Sequence, residues 1–153
     1  MYKVLFICTH NSARSQMAEA YLRQVGGQKF QVESAGFEPG PINPDVITVL
    51  LEDGIDISFK SSQKVFDLFH QGRIFDFVIT VCEQEEDSCP IFPGLAHRLH
   101  LPFPDPSQVS GEKEHRLNKI RTIRDGIKEK MQEFKNWVES GCLTPLSSQW
   151  ERK

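Results

Sequence analysis

The chain has 153 residues, of which 39% are hydrophobic and 25% are charged, and its formal net charge at pH 7 is −3. These values are typical of one globular domain that buries a core without disulfide bonds. The small negative charge argues against nucleic-acid binding. No apolar run reaches membrane-spanning length and no signal peptide precedes the first strand, so we expect a cytoplasmic protein whose 4 cysteines are thiols or redox groups.

The pattern of apolar residues predicts strands that alternate with helices. We predict strands over residues 3–7, 30–34, 75–81 and 97–101, and helices after the first strand, from residue 44 to the Asp53-Gly54 pair, over 61–69 and over 112–139. Asn43 is a suitable N-cap for the second helix and Pro44 suits its first position. This order is typical of the α/β class and predicts a central four-stranded parallel sheet with helices on both faces. We expect one domain over residues 1–139 and a loose C-terminal tail over 140–153.

The first strand leads into a cysteine, a short polar loop and an arginine that begins a helical pattern. Backbone N–H groups of such a loop can converge on a tetrahedral anion, and the helix adds the positive end of its dipole. Arg14 offers a planar fork to two oxygens, and the same positive field lowers the pKa of the Cys8 thiol. A small buried cysteine without chemistry is the alternative. The predicted oxyanion-binding loop consists of Cys8, Thr9, His10, Asn11, Ser12, Ala13, Arg14 and Ser15.

Cys82 and Cys89 form a second feature, directly after the third predicted strand. If the segment between them is helical, the two Cα atoms lie about 10 Å apart, whereas a disulfide needs less than about 7 Å. The acidic residues between the cysteines weaken this helix, and Pro90 ends it. We therefore predict a segment that unwinds when the two cysteines are oxidised. Two unrelated buried thiols are the alternative.

Asp105 lies between Pro104 and Pro106, after the fourth predicted strand. The flanking prolines hold its carboxyl group on a stiff turn, although Asp-Pro is also common in turns without a function. In parallel sheets, ligands bind beyond the carboxyl ends of the strands. We therefore expect Cys8, Cys82 and Asp105 to meet at one edge of the sheet.

The run from Cys8 to Glu19, CTHNSARSQMAE, resembles the signature of the low-molecular-weight phosphotyrosine phosphatase superfamily, and within it the thioredoxin-coupled arsenate reductases. The similarity covers nearly the whole chain. It continues through Ser34-Ala35-Gly36, Asn43-Pro44, Asp56-Ile57-Ser58, Thr80-Val81-Cys82, Cys89-Pro90 and Pro104-Asp105-Pro106.

The resemblance implies a mechanism. Arsenate would bind in the loop, Cys8 would attack arsenic, and Asp105 would protonate the departing oxygen. Cys82 and Cys89 would be the second and third redox cysteines, regenerated by thioredoxin, so we expect no cofactor and no metal. We expect a monomer whose partners are arsenate and thioredoxin. The residues implied to brace the loop are Asn11, Ser15, Glu19 and Ser34.

The chain departs from the family pattern at several positions. Ser107 and Gln108 replace the aromatic residues that line a phosphotyrosine slot, which favours a small inorganic substrate. Ala13 replaces an additional loop cysteine. His10 replaces a glycine, so it would be strained if its φ were positive, and it could also support the Cys8 thiolate. Gln63 replaces an aspartate near the place where some arsenate reductases hold a monovalent cation, which argues against a cation here.

Two other functions remain open from the sequence. A phosphatase acting on phosphotyrosine or on a small phosphoester would use Cys8, Arg14 and Asp105, and would not need Cys82 or Cys89. A non-catalytic arsenite or metal sensor would use the thiols as soft ligands. Cys142 has no predicted role. A zinc site made of Cys82, Cys89 and His97 is not favoured.

Overall fold

The computed structural model describes residues 1–83 and 97–141, and the backbone of residues 151–152. The strands are β1 (Tyr2–Cys8), β2 (Phe30–Gly36), β3 (Phe77–Thr80), β4 (His97–His100) and β5 (Glu151–Arg152). The helices are α1 (Arg14–Gly26), α2 (Pro44–Leu51), α3 (Val65–His70) and α4 (Lys113–Glu139), with 3-10 turns at Gly27–Lys29 and Pro106–Gln108. The predicted helix after Cys82, together with Cys89 and Cys142, lies outside the described residues.

The sheet has the strand order β2-β1-β3-β4-β5. Strand β1 pairs in parallel with both β2 and β3, and β3 pairs in parallel with β4, so the predicted four-stranded parallel sheet is confirmed. The short β5 is antiparallel to β4, with Leu99 opposite Arg152. Residues 151–152 of the predicted C-terminal tail thus pair with backbone groups of β4 that an edge strand would otherwise leave unpaired.

Helices cover both faces of the sheet, as predicted. Side chains of β1 alternate between the faces: Val4 and Phe6 pack in a core with α1, α2 and α4, whereas Leu5 and Ile7 pack in a second core with α3. Both faces of β1 are therefore buried, which explains its uninterrupted apolar run. No helix in the described part of the chain is long and apolar enough to cross a membrane.

Helix α2 begins where its capping residues predict, whereas helix α3 begins later than predicted. The Asn43 side chain accepts a hydrogen bond from the Asp45 N–H at 2.9 Å and caps α2, as predicted. Helix α3, expected from residue 61, begins only at Val65. The Gln63 N–H donates to the Asn11 side chain and the Gln63 carbonyl accepts from the Gly36 N–H. The backbone groups of Gln63 thus bond to Asn11 and to Gly36 and do not form the first turn of a helix.

Candidate active site

The loop between β1 and α1 turns its carbonyl groups away from its concave side. Backbone N–H groups that follow β2 donate to three of these carbonyls, at 2.8 to 3.3 Å, and the Asn43 N–H donates to a fourth. The Gln16 side chain and the Met17 N–H take the remaining two. Because a C=O and the next N–H point in opposite directions across a planar peptide, the N–H groups of residues 9–14 face the other side. The carbonyls so held are those of Cys8, Thr9, His10, Asn11, Ser12 and Ala13.

Gly36, the last residue of β2, lets the loop lie against the sheet. A Cβ atom at this position would lie 2.7 Å from the Asn11 nitrogen and 2.8 Å from the His10 carbonyl carbon. Real Cβ atoms do not approach backbone atoms so closely, so any side chain here would displace the loop. The close approach explains why glycine ends the Ser34-Ala35-Gly36 run.

Asn11, and not His10, has the positive φ in the loop. Its φ is 53°, and it is the one non-glycine residue with positive φ in the described ranges. Asparagine tolerates this region well, and the condition under which His10 would be strained is not met. The buried Asn11 side chain donates to Ser15 Oγ at 2.8 Å, and its Oδ1 accepts from the Gln63 N–H at 2.9 Å. His10 is exposed, and its Nδ1 donates to the Glu38 carbonyl oxygen at 2.9 Å.

The structure brings Cys8 and Cys82 together because β1 and β3 are neighbours. Both thiols are buried and free. A hydrogen bond with the Cys82 thiol is the main reason why the pKa of Cys8 falls to about 6; the charge of Arg14 and the Thr9 backbone also lower it, against burial and Asp105. The same hydrogen bond and burial raise the pKa of Cys82. At neutral pH, Cys8 is therefore the thiolate and Cys82 remains the thiol.

Arg14 and Asp105 face each other at the same edge. Arg14 Nη2 lies 3.5 Å from Asp105 Oδ2, and Nη1 donates to the Phe103 carbonyl at 3.3 Å. The buried Arg14 Nε has no hydrogen-bond partner among the described residues. A buried donor without a partner costs free energy. An oxyanion bound in the loop would give this N–H an acceptor.

Ser107 orients the Asp105 carboxyl group, which the sequence analysis missed. Its N–H and Oγ both donate to Asp105 Oδ1, at 2.9 and 2.8 Å. The oxygen that faces Arg14 is therefore Oδ2. A serine two residues after an aspartate at the start of a turn is the local pattern that could have predicted this pair.

The residues expected to brace the loop form two connected pairs. Asn11 contacts Ser15, and Ser34 Oγ donates to Glu19 Oε1 at 2.6 Å. Lys60 Nζ lies 2.5 Å from Glu19 Oε2, a contact that the sequence analysis did not predict. No group of three or more His, Cys, Asp or Glu side chains within residues 1–83 and 97–141 could hold a metal ion.

The chain belongs to the low molecular weight phosphotyrosine protein phosphatase family, whose model matches residues 3–140. It is 37% identical over 132 residues to an arsenate reductase from Shouchella clausii, covering 86% of this chain and 93% of that protein. A solved structure of an arsenate reductase in the reduced state is 30% identical, with a TM-score of 0.74, and covers 90% of this chain and 99% of its own. A thioredoxin-dependent arsenate reductase from Corynebacterium glutamicum is also 30% identical, with a TM-score of 0.68, over 92% of this chain and 63% of its own. The predicted family is thereby confirmed.

Proposed function

We propose that this protein is an arsenate reductase that uses Cys8 as its nucleophile and thioredoxin as its reductant. The observation that carries the proposal is a second buried free thiol, that of Cys82, which follows the strand next to β1 and lowers the pKa of Cys8. A phosphatase would use Cys8, Arg14 and Asp105 and would not need Cys82, whereas a reductase needs a second thiol beside the first. The named arsenate reductases similar to this chain support the same assignment.

The first step is nucleophilic attack on arsenate. The inward N–H groups of residues 9–14 and the free Arg14 Nε bind the oxyanion, and the Cys8 thiolate attacks arsenic. An S–As bond forms and one As–O bond breaks. Asp105, held by Ser107, donates its proton through Oδ2 to the departing oxygen, which leaves as water.

The second step reduces arsenic. Cys82 passes its proton to an arsenic-bound oxygen and attacks the Cys8 sulfur, so that an S–S bond forms and the S–As bond breaks. The electron pair of the broken bond remains on arsenic, which leaves as arsenite. Two thiols have then supplied the two electrons, and the product on the protein is a Cys8–Cys82 disulfide.

The third step regenerates the nucleophile. Cys89, which lies outside the described residues, attacks Cys82, releases the Cys8 thiolate and forms a Cys82–Cys89 disulfide. Thioredoxin reduces this second disulfide by thiol–disulfide exchange. Because Cys8 and Cys82 must start as thiols, we assign the reaction to a reducing compartment, the cytoplasm.

A coupled assay tests the proposal directly. The purified protein is mixed with thioredoxin, thioredoxin reductase and NADPH, and arsenate-dependent NADPH consumption is measured beside hydrolysis of an aryl phosphate. We expect steady NADPH consumption that Cys8→Ser, Cys82→Ser and Cys89→Ser each abolish. Aryl phosphate hydrolysis that survives in Cys82→Ser, with no arsenate-dependent NADPH consumption in the wild type, would identify a phosphatase instead. Stoichiometric arsenite binding without turnover would identify a sensor.

A further inference from the structure

The region behind the oxyanion loop contains a buried carboxylate with a lysine of the same chain seated on it. Glu19 is 2% exposed. Its Oε1 accepts from Ser34 Oγ at 2.6 Å, and its Oε2 lies 2.5 Å from Lys60 Nζ and 3.0 Å from Arg23 Nη2. The Lys60 side chain is mostly buried, whereas that of Arg23 is about half exposed. Solvent screens the Arg23 charge more strongly, so Lys60 is the main counter-charge of Glu19.

The residues in this region do not fit a monovalent metal cation. Such a cation would need carboxylate, carbonyl or amide oxygens that remain free to coordinate it. Here the Glu19 carboxylate already has the Lys60 ammonium, the Ser34 carbonyl accepts from Gln63 Nε2 at 3.0 Å, and Asn11 Oδ1 accepts from the Gln63 N–H at 2.9 Å. The aspartate of the cation-binding pattern is replaced by Gln63, which contributes these two N–H donors and no charge.

The Lys60 ammonium is connected to the loop by an unbroken series of contacts. Glu19 lies on α1 and Ser34 on β2, while Lys60 and Gln63 lie in the segment before α3. Ser34 joins Glu19 to Gln63, and Gln63 joins this group to Asn11. The three chain segments that support the loop therefore meet around the Glu19–Lys60 ion pair. The hydrogen bonds through Ser34 and Gln63 connect this pair to Asn11, the loop residue with positive φ.

We infer that Lys60 is a positioning residue that supplies the positive charge behind the oxyanion loop, so that anion binding in this protein requires no monovalent cation. The inference rests on the proposed function only for the identity of the anion. Removing the ammonium leaves the buried Glu19 charge without its main partner, which loosens the Ser34 and Gln63 contacts. The loop then holds its N–H groups less accurately around the anion.

Inorganic phosphate is the probe for the first test, because its binding does not depend on arsenate turnover. Phosphate affinity is measured by titration calorimetry in potassium chloride and in choline chloride at equal ionic strength. For the wild type we expect the same affinity in both salts. For Lys60→Met we expect an affinity about 10-fold lower or worse in choline chloride, since small misplacements of binding groups cost up to about 100-fold, with partial recovery in potassium chloride. Lys60→Arg should retain the wild-type behaviour.

Lys130→Met is the matched control. Lys130 is as buried as Lys60 and pairs with Glu133 at 3.0 Å, but it lies on α4 away from the loop. Its loss should leave phosphate affinity unchanged in both salts. If Lys60→Met does not fold, the double variant Lys60→Met/Glu19→Gln removes both charges, and it should fold and bind phosphate independently of potassium.

Two results would overturn the inference. Wild-type phosphate affinity that rises in potassium chloride would mean that a metal cation is required. Unchanged affinity in folded Lys60→Met, in both salts, would mean that the ammonium has no positioning role. Neither result depends on the NADPH assay, so failure of the reductase assignment and failure of this inference are distinguishable.

Discussion

The chemistry of the site depends first on single residues, and above all on the unequal ionisation of two neighbouring thiols. Cys8 ionises because Cys82 donates to it and Arg14 lies nearby, and Cys82 keeps its proton because Cys8 is already charged. In the proposed reaction, this difference makes Cys8 the nucleophile and Cys82 the second attacking thiol. The same logic applies to Asp105, whose two oxygens differ because Ser107 occupies one of them.

The first prediction concerns the pH dependence of Cys8. Because the pKa of Cys8 is about 6, the thiolate forms as the pH rises through 6, and alkylation by iodoacetamide should reach half of its maximal rate near that pH. Cys82→Ala removes the main stabilising hydrogen bond and should move the midpoint upward, whereas Cys82→Ser keeps a hydroxyl donor and should move it less. The rate is measured by mass spectrometry of the Cys8 peptide. A midpoint that stays near pH 6 in Cys82→Ala would contradict the hydrogen bond.

The second prediction concerns the acid. Asp105→Asn should slow S–As bond formation by roughly 100-fold or more, the usual range of general acid catalysis. Ser107→Ala should slow it less, because Asp105 keeps its carboxyl group and loses only the two donors on Oδ1. Single-turnover quenched-flow measurements resolve this step from the later thiol exchange. Equal rates in Asp105→Asn and the wild type would remove Asp105 from the mechanism.

At the scale of elements, the site is assembled from several chain segments, and no single segment forms it alone. N–H groups of the segment after β2 donate to carbonyl groups of the loop after β1. The segment before α3 supplies the N–H group that donates to the Asn11 side chain. Helix α1 begins at Arg14, so the residue that carries the guanidinium group is also the first residue of the helix. The loop conformation is therefore a property of three elements and not of the loop sequence alone.

The third prediction tests the contact between the loop and β2. Gly36→Ala would place a Cβ 2.7 Å from the Asn11 nitrogen, so it should displace the loop and abolish phosphate binding. Gly126→Ala is the control, because a Cβ there meets nothing within 4 Å and α4 is helical at this position. The control should bind phosphate normally and gain about 0.5–1 kcal/mol of stability. Calorimetry and thermal unfolding measure both variants; normal phosphate affinity in Gly36→Ala would show that the loop can retreat.

The fourth prediction concerns the order of the thiols. Cys89→Ser should complete one arsenate reduction and stop with a Cys8–Cys82 disulfide, because no third thiol releases Cys8. Cys82→Ser should stop earlier, without that bond, and the oxidised wild type should carry a Cys82–Cys89 disulfide. Non-reducing peptide mapping distinguishes the three states. Repeated turnover of Cys89→Ser with thioredoxin would show that the relay is shorter than we propose.

At the scale of the whole molecule, the long helix α4 packs against the sheet near the amino ends of β2 and β3, away from the site edge. Phe134 on α4 is fully buried and lies near Phe77 of β3 and Phe30 of β2, with ring centroids 5.2 and 6.2 Å away. Edge-on and tilted ring contacts of this kind stabilise the fold in addition to the effect of the apolar area that burial removes from water. One side chain thus joins two strands to the helix that covers them.

The fifth prediction measures this connection. Phe134→Ala should lower the free energy of unfolding by about 3–5 kcal/mol, because it removes a buried ring and leaves a cavity. Phe59→Ala is the control, since Phe59 is 79% exposed, and its effect should stay within about 0.5 kcal/mol. Urea unfolding followed by circular dichroism gives both values. A similar loss in the two variants would mean that Phe134 does not connect the sheet to α4.

Much of the fold and part of the site could be predicted because their signals are local. The apolar run before Cys8, the Asn43-Pro44 helix start and the helical spacing along α4 each depend on neighbouring residues, and each prediction is confirmed. The start of α3 was predicted wrongly, and the sequence left open whether His10 has a positive φ, because distant partners determine both. Gln63 is held by Asn11, and Asn11, not His10, makes the left-handed turn.

The sequence by itself determined the strand and helix order, the loop between β1 and α1 and the family, since periodicity, capping and a contiguous motif act over a few residues. Only the tertiary structure decided which distant groups meet: Asp105 with Arg14, Lys60 with Glu19, and the tail strand with β4. Each of these contacts joins residues that are far apart along the chain, so it exists only after the strands have paired and the helices have packed. An ionic or hydrogen-bonding side chain has many possible partners in an unfolded chain, and packing of the sheet and helices selects one of them.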